Sequence, residues 1–444
     1  MIRSIIQRVF GRKRGSLRVY PYREHHIQRD ALSPLALKIC DRLHQQGYAA
    51  FVVGGAVRDL LLGQQPKDFD VATDATPEQV RNIFRRSRII GRRFQIVHVF
   101  QGNDIVEVST FRAGSNDAHT DASGRVLHDN VFGSQEEDAL RRDFTANALY
   151  YNPRSEEIID YHHGVPDIRA GRLVLIGEPE RRFREDPVRM LRAVRLAGKV
   201  GLTIDPAARA AIMQCAEWLK QIPQARLLDE FIKVLECGAS WPVFAELKAV
   251  GLLPMFMPVF DRLLAKPEAS RFIELALTAT DSRLAQGKSM SIGYVFAALL
   301  WPEVLFDWRR REGRGEKAWP ALFSAIEAVL ERSDQGLGIP RRHTAIMREI
   351  WTLQPRFEQR QGQRPYRLLE NERYRAGYDF LLLRREVDAS LAELADWWTA
   401  FARADSDERA LLQQNLGRVA TEAPKRRRRR KKPSNAKSSG TASE

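Results

Sequence analysis

Cysteine is scarce in this chain. Its 444 residues hold three, Cys40, Cys215 and Cys237. None stands at a CxxC or zinc-ligand spacing, which argues against a disulfide framework or thiolate metal site and for buried free thiols in a reducing compartment. Long apolar runs are missing too. No stretch approaches the ~20 apolar residues of a membrane-spanning helix, so none is expected. There is no internal repeat, and no Ser-His-Asp or Cys-His arrangement points to covalent catalysis. Acidic residues fall short of basic ones, 56 against 71, giving a net charge of +15.

That charge is unevenly placed. Residues 1–29 carry +7 and residues 421–444 carry +7, which leaves +1 for everything between. The body is nearly neutral and the excess lies at the two ends. Eight consecutive basic residues, Lys425 to Lys432, form a handle for a polyanion that needs no particular sequence. At the other end, Ile2, Ile5, Ile6, Val9 and Phe10 share one helical face, with Arg3, Arg8, Arg12, Lys13 and Arg14 around it. Residues 1–14 thus read as a short basic amphipathic helix suited to an anionic membrane surface, or else as a frayed terminus.

Punctuation gives the architecture. Ser33-Pro34 starts a helix that stops at Gly47. Residues 48–53 read as a buried strand, Gly54-Gly55 as a turn, and 56–62 as a helix. Residues 68–73, 94–100 and 104–110 read as strands, the last two joined at Gly102-Asn103. Capping boxes at Thr76–Gln79 and Ser134–Glu137 open helices, the second expected to run through Tyr151. Residues 113–133 read as a polar loop. From residue 180 to 404 helical periodicity dominates, and a disordered tail is expected from Asp405. The fold class is α+β: a small mixed-sheet head, then an all-helical neck and body.

The chemistry concentrates in the head. A strand, a glycine pair and a helix start leave backbone N–H groups open to phosphate, and Arg58 lies one turn on. Asp68 and Asp70, two apart in a strand, share a face. Carboxylates so close repel unless a hard cation such as Mg²⁺ neutralises them. Glu107 stands on the open face of the 104–110 strand, since Val106 and Val108 take the core face. Three carboxylates beside a phosphate-binding turn imply phosphoryl transfer assisted by two metal ions, with Asp68 and Asp70 as ligands. Two further segments fit a nucleotide pocket. Arg142, Asp143 and Asn147 can hold ribose and phosphate, Asp143 and Asn147 being four apart on one expected helix face. Asp186 reads as the N-cap before Pro187, followed by Arg189, Arg192 and Arg195. Asp186 with Arg189 can read a base edge, or the arginines form a solvated row.

Taken in order over residues 34–255, these segments resemble the class II nucleotidyltransferases of the polymerase β superfamily, which comprise bacterial poly(A) polymerases and tRNA CCA-adding enzymes. The resemblance implies a polymerase-β-like head at 31–178 after a basic extension at 1–30. It implies a neck at 179–255 that binds base and RNA, a helical RNA-binding body at 256–404 and an Arg/Lys-rich tail at 405–444. It gives Gly54, Gly55 and Arg58 to the triphosphate, Asp68, Asp70 and Glu107 to catalysis, and Arg142, Asp143 and Asn147 to sugar and phosphate. Asp186 and Arg189 go to the base. Residues 91–99, GRRFQIVHV, and 373–384, RYRAGYDFLLLR, resemble the poly(A) polymerase branch. The implied activity is template-independent addition of AMP from ATP to RNA 3′ ends, with Mg²⁺. The expected setting is cytoplasmic, with RNA-decay machinery as partner and, through residues 1–14, a peripheral contact with the inner membrane face. A CCA- or A-adding tRNA enzyme and a non-catalytic RNA-binding protein are the competing expectations.

Overall fold

The computed structural model describes residues 17–91, 95–113, 119–120, 126–128 and 131–422. The candidate membrane helix at 1–14, the Lys425–Lys432 block and residues 92–94 of the GRRF segment lie outside them. The chain divides into two compact units, Met1–Arg348 and Glu349–Glu444.

The first unit opens on an eight-stranded mixed sheet. Its strands are β1 (Arg18–Pro21), β2 (Ala50–Val53), β3 (Asp70–Thr73), β4 (Ser87–Ile90), β5 (Ile96–Gln101) and β6 (Asp104–Thr110). After a separate hairpin of β7 (His119–Thr120) and β8 (Val126–His128), β9 (Leu149–Asn152) and β10 (Glu157–Asp160) return to it. The order across the sheet is β1-β10-β9-β2-β3-β6-β5-β4. All pairings are antiparallel except β3 with β6. β2 is buried along its whole length, as an Ala-Phe-Val-Val run in a central strand should be. β5 and β6 alternate, with Val97, Val99, Val106 and Val108 inward.

Helix α1 (Pro34–Gln45) starts where Ser33 accepts the Ala36 N–H, and it buries Leu35, Ile39, Cys40 and Leu43. Each large aliphatic so removed from water contributes about 1.5–3 kcal/mol. Helix α2 (Gly55–Leu61) follows the glycine turn. Both expected capping boxes are formed, opening α3 (Pro77–Ile83) and α4 (Gln135–Arg141). Beyond the short strand β11 (Arg172–Leu173), the first unit is helical apart from β12 (Thr203–Ile204), which pairs with β11. The helices that matter below are α5 (Pro179–Glu185), α6 (Val188–Val200) and α7 (Gln224–Leu235). Phe231 of α7 centres the helical core, with the rings of Phe244, Phe256, Phe260 and Phe296 at 5.8–6.0 Å. The α+β expectation, sheet head and then helices, holds.

Several boundaries differ from the sequence reading. The strand expected from Asp68 starts at Asp70. Arg18–Pro21 joins the sheet as its edge strand, so the sheet reaches back before residue 31. The segment read as a loop at 113–133 carries the β7–β8 hairpin. The helix expected through Tyr151 stops at Arg141, and Leu140 near its end is exposed. Arg142 turns extended, a single 3₁₀ turn covers Thr145–Asn147, and the chain enters β9. Leu149, Tyr150 and Tyr151 are buried on both faces, which a central strand accommodates and a one-sided helix does not.

The second unit gathers around Trp398, Phe357, Leu381, Trp397 and Phe401. The expectation of disorder from Asp405 is corrected here, because α8 (Ser406–Glu422) is a helix. Asp405 accepts the N–H groups of Asp407 and Glu408, while Glu408 accepts that of Asp405, a reciprocal cap. Leu412 and Leu416 pack on the aromatic cluster. Polarity hid an amphipathic face that only the cluster gives a reason to fold. Among the described residues no helix is long and apolar enough to cross a membrane.

Candidate active site

Gly54 ends β2 with φ +75° and ψ −126°, a backbone region open to glycine alone. Its N–H donates to the Leu149 carbonyl at 3.1 Å, tying the turn to β9. Arg58, one turn into α2, is buried. Its Nε and Nη2 donate to Asp59 at 2.8 and 2.5 Å, and its Nη1 to Asn147 Oδ1 at 2.5 Å. A Cβ placed on Gly55 would stand 3.5 Å from that guanidinium. Arg58 therefore braces the glycine turn from beneath and ties it to Asn147.

Beside the turn, the parallel register of β3 and β6 sets Asp70 opposite Glu107. Asp68 lies two residues before β3, outside the strand. Its charge reaches Asp70, but only Asp70 and Glu107 line the cleft. Burial raises the Asp70 carboxyl to about 6, Glu107 and then Asp68 add to the rise, and Arg142 opposes it. Like charges held together at this cost are the pattern that a bound cation relieves, so these carboxylates fit a divalent metal. Among the described residues no three His, Cys, Asp or Glu side chains form a closed cage. An open pair suits a metal that completes its shell with water and phosphate oxygens. His98, across from Glu107 on β5, meets its Oε1 at 3.1 Å.

The opposite wall is a hydrogen-bond lattice. Arg142 donates to Asp138 (3.0 and 3.2 Å), to the Tyr150 hydroxyl (3.0 Å) and to the Asn147 carbonyl (3.3 Å). The Tyr150 hydroxyl donates to Asp138 at 2.7 Å. Asp143 accepts Arg192 Nε at 2.9 Å and Nη2 at 2.5 Å, the Phe144 N–H at 2.9 Å and Asn147 Nδ2 at 3.2 Å. Burial works against the Asp143 charge, but Arg192 and the other donors outweigh it and hold the carboxyl below its usual range.

Helix α6 supplies the last wall. Asp186 accepts the Val188 N–H at 3.2 Å and Arg226 at 2.6 Å, but α6 starts at Val188 with Pro187 as its N-cap, so Asp186 stands one residue before the cap rather than at it. Arg189 donates to Glu185 at 3.0 Å and to the Arg182 carbonyl at 2.8 Å. Burial, followed by the charge of Arg189, lowers Arg182 to about 10. The arginine row is ion-paired, Arg189, Arg192 and Arg195 facing Glu185, Asp143 and Glu230, with Arg192 still partly open to water.

One cleft of about 570 Å³ is lined by Gly54, Gly55, Arg58, Asp70, Glu107, Arg142, Asp143, Asn147, Asp186 and Arg189. Every residue that the resemblance assigns to catalysis or nucleotide binding except Asp68 lies on its wall, and of the arginine row Arg195 does not. The sequence reading missed Asp59, Asp138 and Tyr150. Asp138 stands four before Arg142 and was findable as a helical ion pair. Tyr150 gave no signal, because only strand β9 brings it there.

Three family profiles match the chain: the poly A polymerase head domain at 50–174, the probable RNA and SrmB-binding site of polymerase A at 201–275, and the polymerase A arginine-rich C-terminus at 314–433. Poly(A) polymerase I of Haemophilus influenzae is 41% identical over 416 residues, 89% of this chain and 91% of that one. A CCA-adding enzyme of Lactobacillus delbrueckii subsp. bulgaricus is 36% identical over 217 residues, 49% of this chain and 54% of that one. The crystal structure of the Bacillus stearothermophilus CCA-adding enzyme in complex with CTP shares the fold, with a TM-score of 0.57 and 27% identity over 88% of this chain and 83% of that one. Fold and cleft together define a nucleotidyltransferase. Similarity to the polymerase I sequence runs nearly end to end, whereas that to the CCA-adding sequence stops at half, and the chain belongs to the poly(A) polymerase family. Nucleotidyltransferases of this fold use divalent metal ions.

Proposed function

We propose that this cleft transfers AMP from ATP to the 3′-hydroxyl of RNA, repeatedly and without a template. The observation that carries the reading is the Asp70–Glu107 pair facing the Gly54–Gly55 turn in one cleft. The RNA 3′-hydroxyl loses its proton to water as its oxygen forms a bond to the α-phosphorus, the bond from that phosphorus to the β-phosphate bridge breaks, and pyrophosphate leaves. Asp68 and Asp70, with Glu107 as third carboxylate, would hold two Mg²⁺ ions. Such ions lower the pKa of the attacking hydroxyl and neutralise the leaving group.

The remaining roles follow from the lattice. The glycine turn presents backbone N–H groups to the triphosphate, with Arg58 holding its shape. Arg142, Asp143 and Asn147 orient sugar and phosphate from a wall that cannot shift without breaking several bonds at once. Asp186 and Arg189, each anchored from behind, read the adenine edge. In this reading residues 31–178 form the head, 179–255 the neck, 256–404 the RNA-holding body, and the basic C-terminal end grips phosphates. Residues 1–14 touch the anionic inner membrane face of a cytoplasmic enzyme that serves RNA decay.

The test supplies ATP and CTP separately to an unstructured oligoribonucleotide and to a tRNA ending in CC. Long A-tails on the oligonucleotide are expected. A single A confined to tRNA would favour the CCA- or A-adding branch, and RNA binding without incorporation would leave a non-catalytic protein.

A further inference from the structure

A second groove, of about 430 Å³, lies away from the cleft between α1 and the start of β4. Lys38 and Arg42 of α1 face Arg85 and Arg86, which lead into β4, and all four are exposed. Its lining contains no Asp or Glu. Asp41, the acid next to Arg42, is turned toward Arg29 at 3.7 Å. Phe84 and Phe100 join Leu35, Ile39 and Val99 in the apolar part of the wall, with the Arg42 guanidinium 5.7 Å over the Phe84 ring.

Four like charges gathered without a counter-charge repel one another and weaken the fold. This is notable in a body whose charges otherwise nearly cancel. A chain of phosphates would relieve the repulsion, and the partly exposed Phe100 ring offers a base a surface on which to stack. The groove also connects with the reaction. Strand β5 gives Ile96 to the cleft and Val99, Phe100 and Gln101 to the groove. At roughly 3.3 Å per residue, Ile96 and Phe100 are about 13 Å apart, a span that a few nucleotides cover.

We infer that this groove on the head holds the phosphate backbone of the RNA strand a few nucleotides upstream of the 3′ end bound in the cleft. The inference rests on RNA being the acceptor, as proposed above. The groove acts through charge and a stacking face, so it takes any sequence, and it gives the head its own grip on RNA in addition to the basic tail.

The test uses the full chain and the triple variant Lys38→Gln/Arg85→Gln/Arg86→Gln. All three residues are exposed, and Arg42 keeps its contact with Phe84. Affinity for a 20-nucleotide single-stranded oligoribonucleotide is measured by anisotropy from 50 to 200 mM salt. Each lost phosphate contact removes about 0.7 from the salt slope of single-strand binding. The slope should therefore flatten by about 2, so that wild-type affinity falls roughly 20-fold more than the variant's across that range. KM for the 20-mer should rise, while KM for ATP and KM for a trinucleotide acceptor stay unchanged and the melting temperature stays at or above that of the wild type. An unchanged slope and unchanged KM for the 20-mer overturn the inference and leave the groove to an acidic protein partner. Failure of the parent reading looks different, because wild-type protein would then add no nucleotide to either acceptor.

Discussion

Asp143 and Arg192, 49 positions apart, meet through two hydrogen bonds of 2.9 and 2.5 Å, and this pair joins the segment after α4 to helix α6. It couples the sheet-bearing head to the first long helix, so the cleft has walls from both.

Replacing Asp143 with Ala strips acceptors from Arg192, Asn147 and the Phe144 N–H together. The expected loss is about 2–3 kcal/mol in chemical denaturation, kept moderate because water regains the half-exposed Arg192. An unchanged unfolding midpoint would show that the pair contributes nothing.

Asp70→Asn and Glu107→Gln should each lower nucleotide incorporation by at least about 10²–10³-fold, the scale on which preorganised charge acts in active sites. RNA affinity should stay within about twofold. Because Asp70→Asn removes one of several crowded negative charges, the metal-free variant should melt at or above the wild-type temperature at pH 7.5. A lower melting temperature would mean that Asp70 is there for the fold rather than the chemistry.

The raised Asp70 carboxyl fixes a pH response. Its folded value is about 6, against an ordinary carboxylate near 3.8 in the unfolded chain. Between these values the native state holds the extra proton, so metal-free stability falls as pH rises through the window. A divalent cation binds the ionised form, so the rise in melting temperature on adding Mg²⁺ should be small at pH 5 and larger at pH 7.5. A metal shift independent of pH would separate Asp70 from the cation site.

Two truncations separate helix α8 from the basic run beyond it. Stopping after Ala404 removes Leu412 and Leu416 from the Trp398 cluster and should destabilise the second unit by about 2–4 kcal/mol. Stopping after Glu422 should leave melting unchanged and flatten the salt dependence of RNA binding by up to about 6. Equal melting temperatures for the two truncations would show that α8 adds nothing to that core.

Much of the site was legible because its signals are local. A glycine pair after a strand and a glutamate between valines each state their geometry within a few residues, whereas of the two aspartates at i and i+2 only Asp70 lies in the strand and on the cleft wall. Capping boxes and Ser-Pro starts placed α1, α3 and α4 for the same reason. What sequence could not decide was pairing at a distance. Nothing near Asp70 says that β6 lies beside it in parallel and brings Glu107 to its level. Nothing near Arg58 says that its guanidinium faces Asn147, and polarity alone made α8 look unfolded. Local propensity specifies how a segment bends. Which side chains share a cleft depends on strand order and on the burial that only the assembled core supplies.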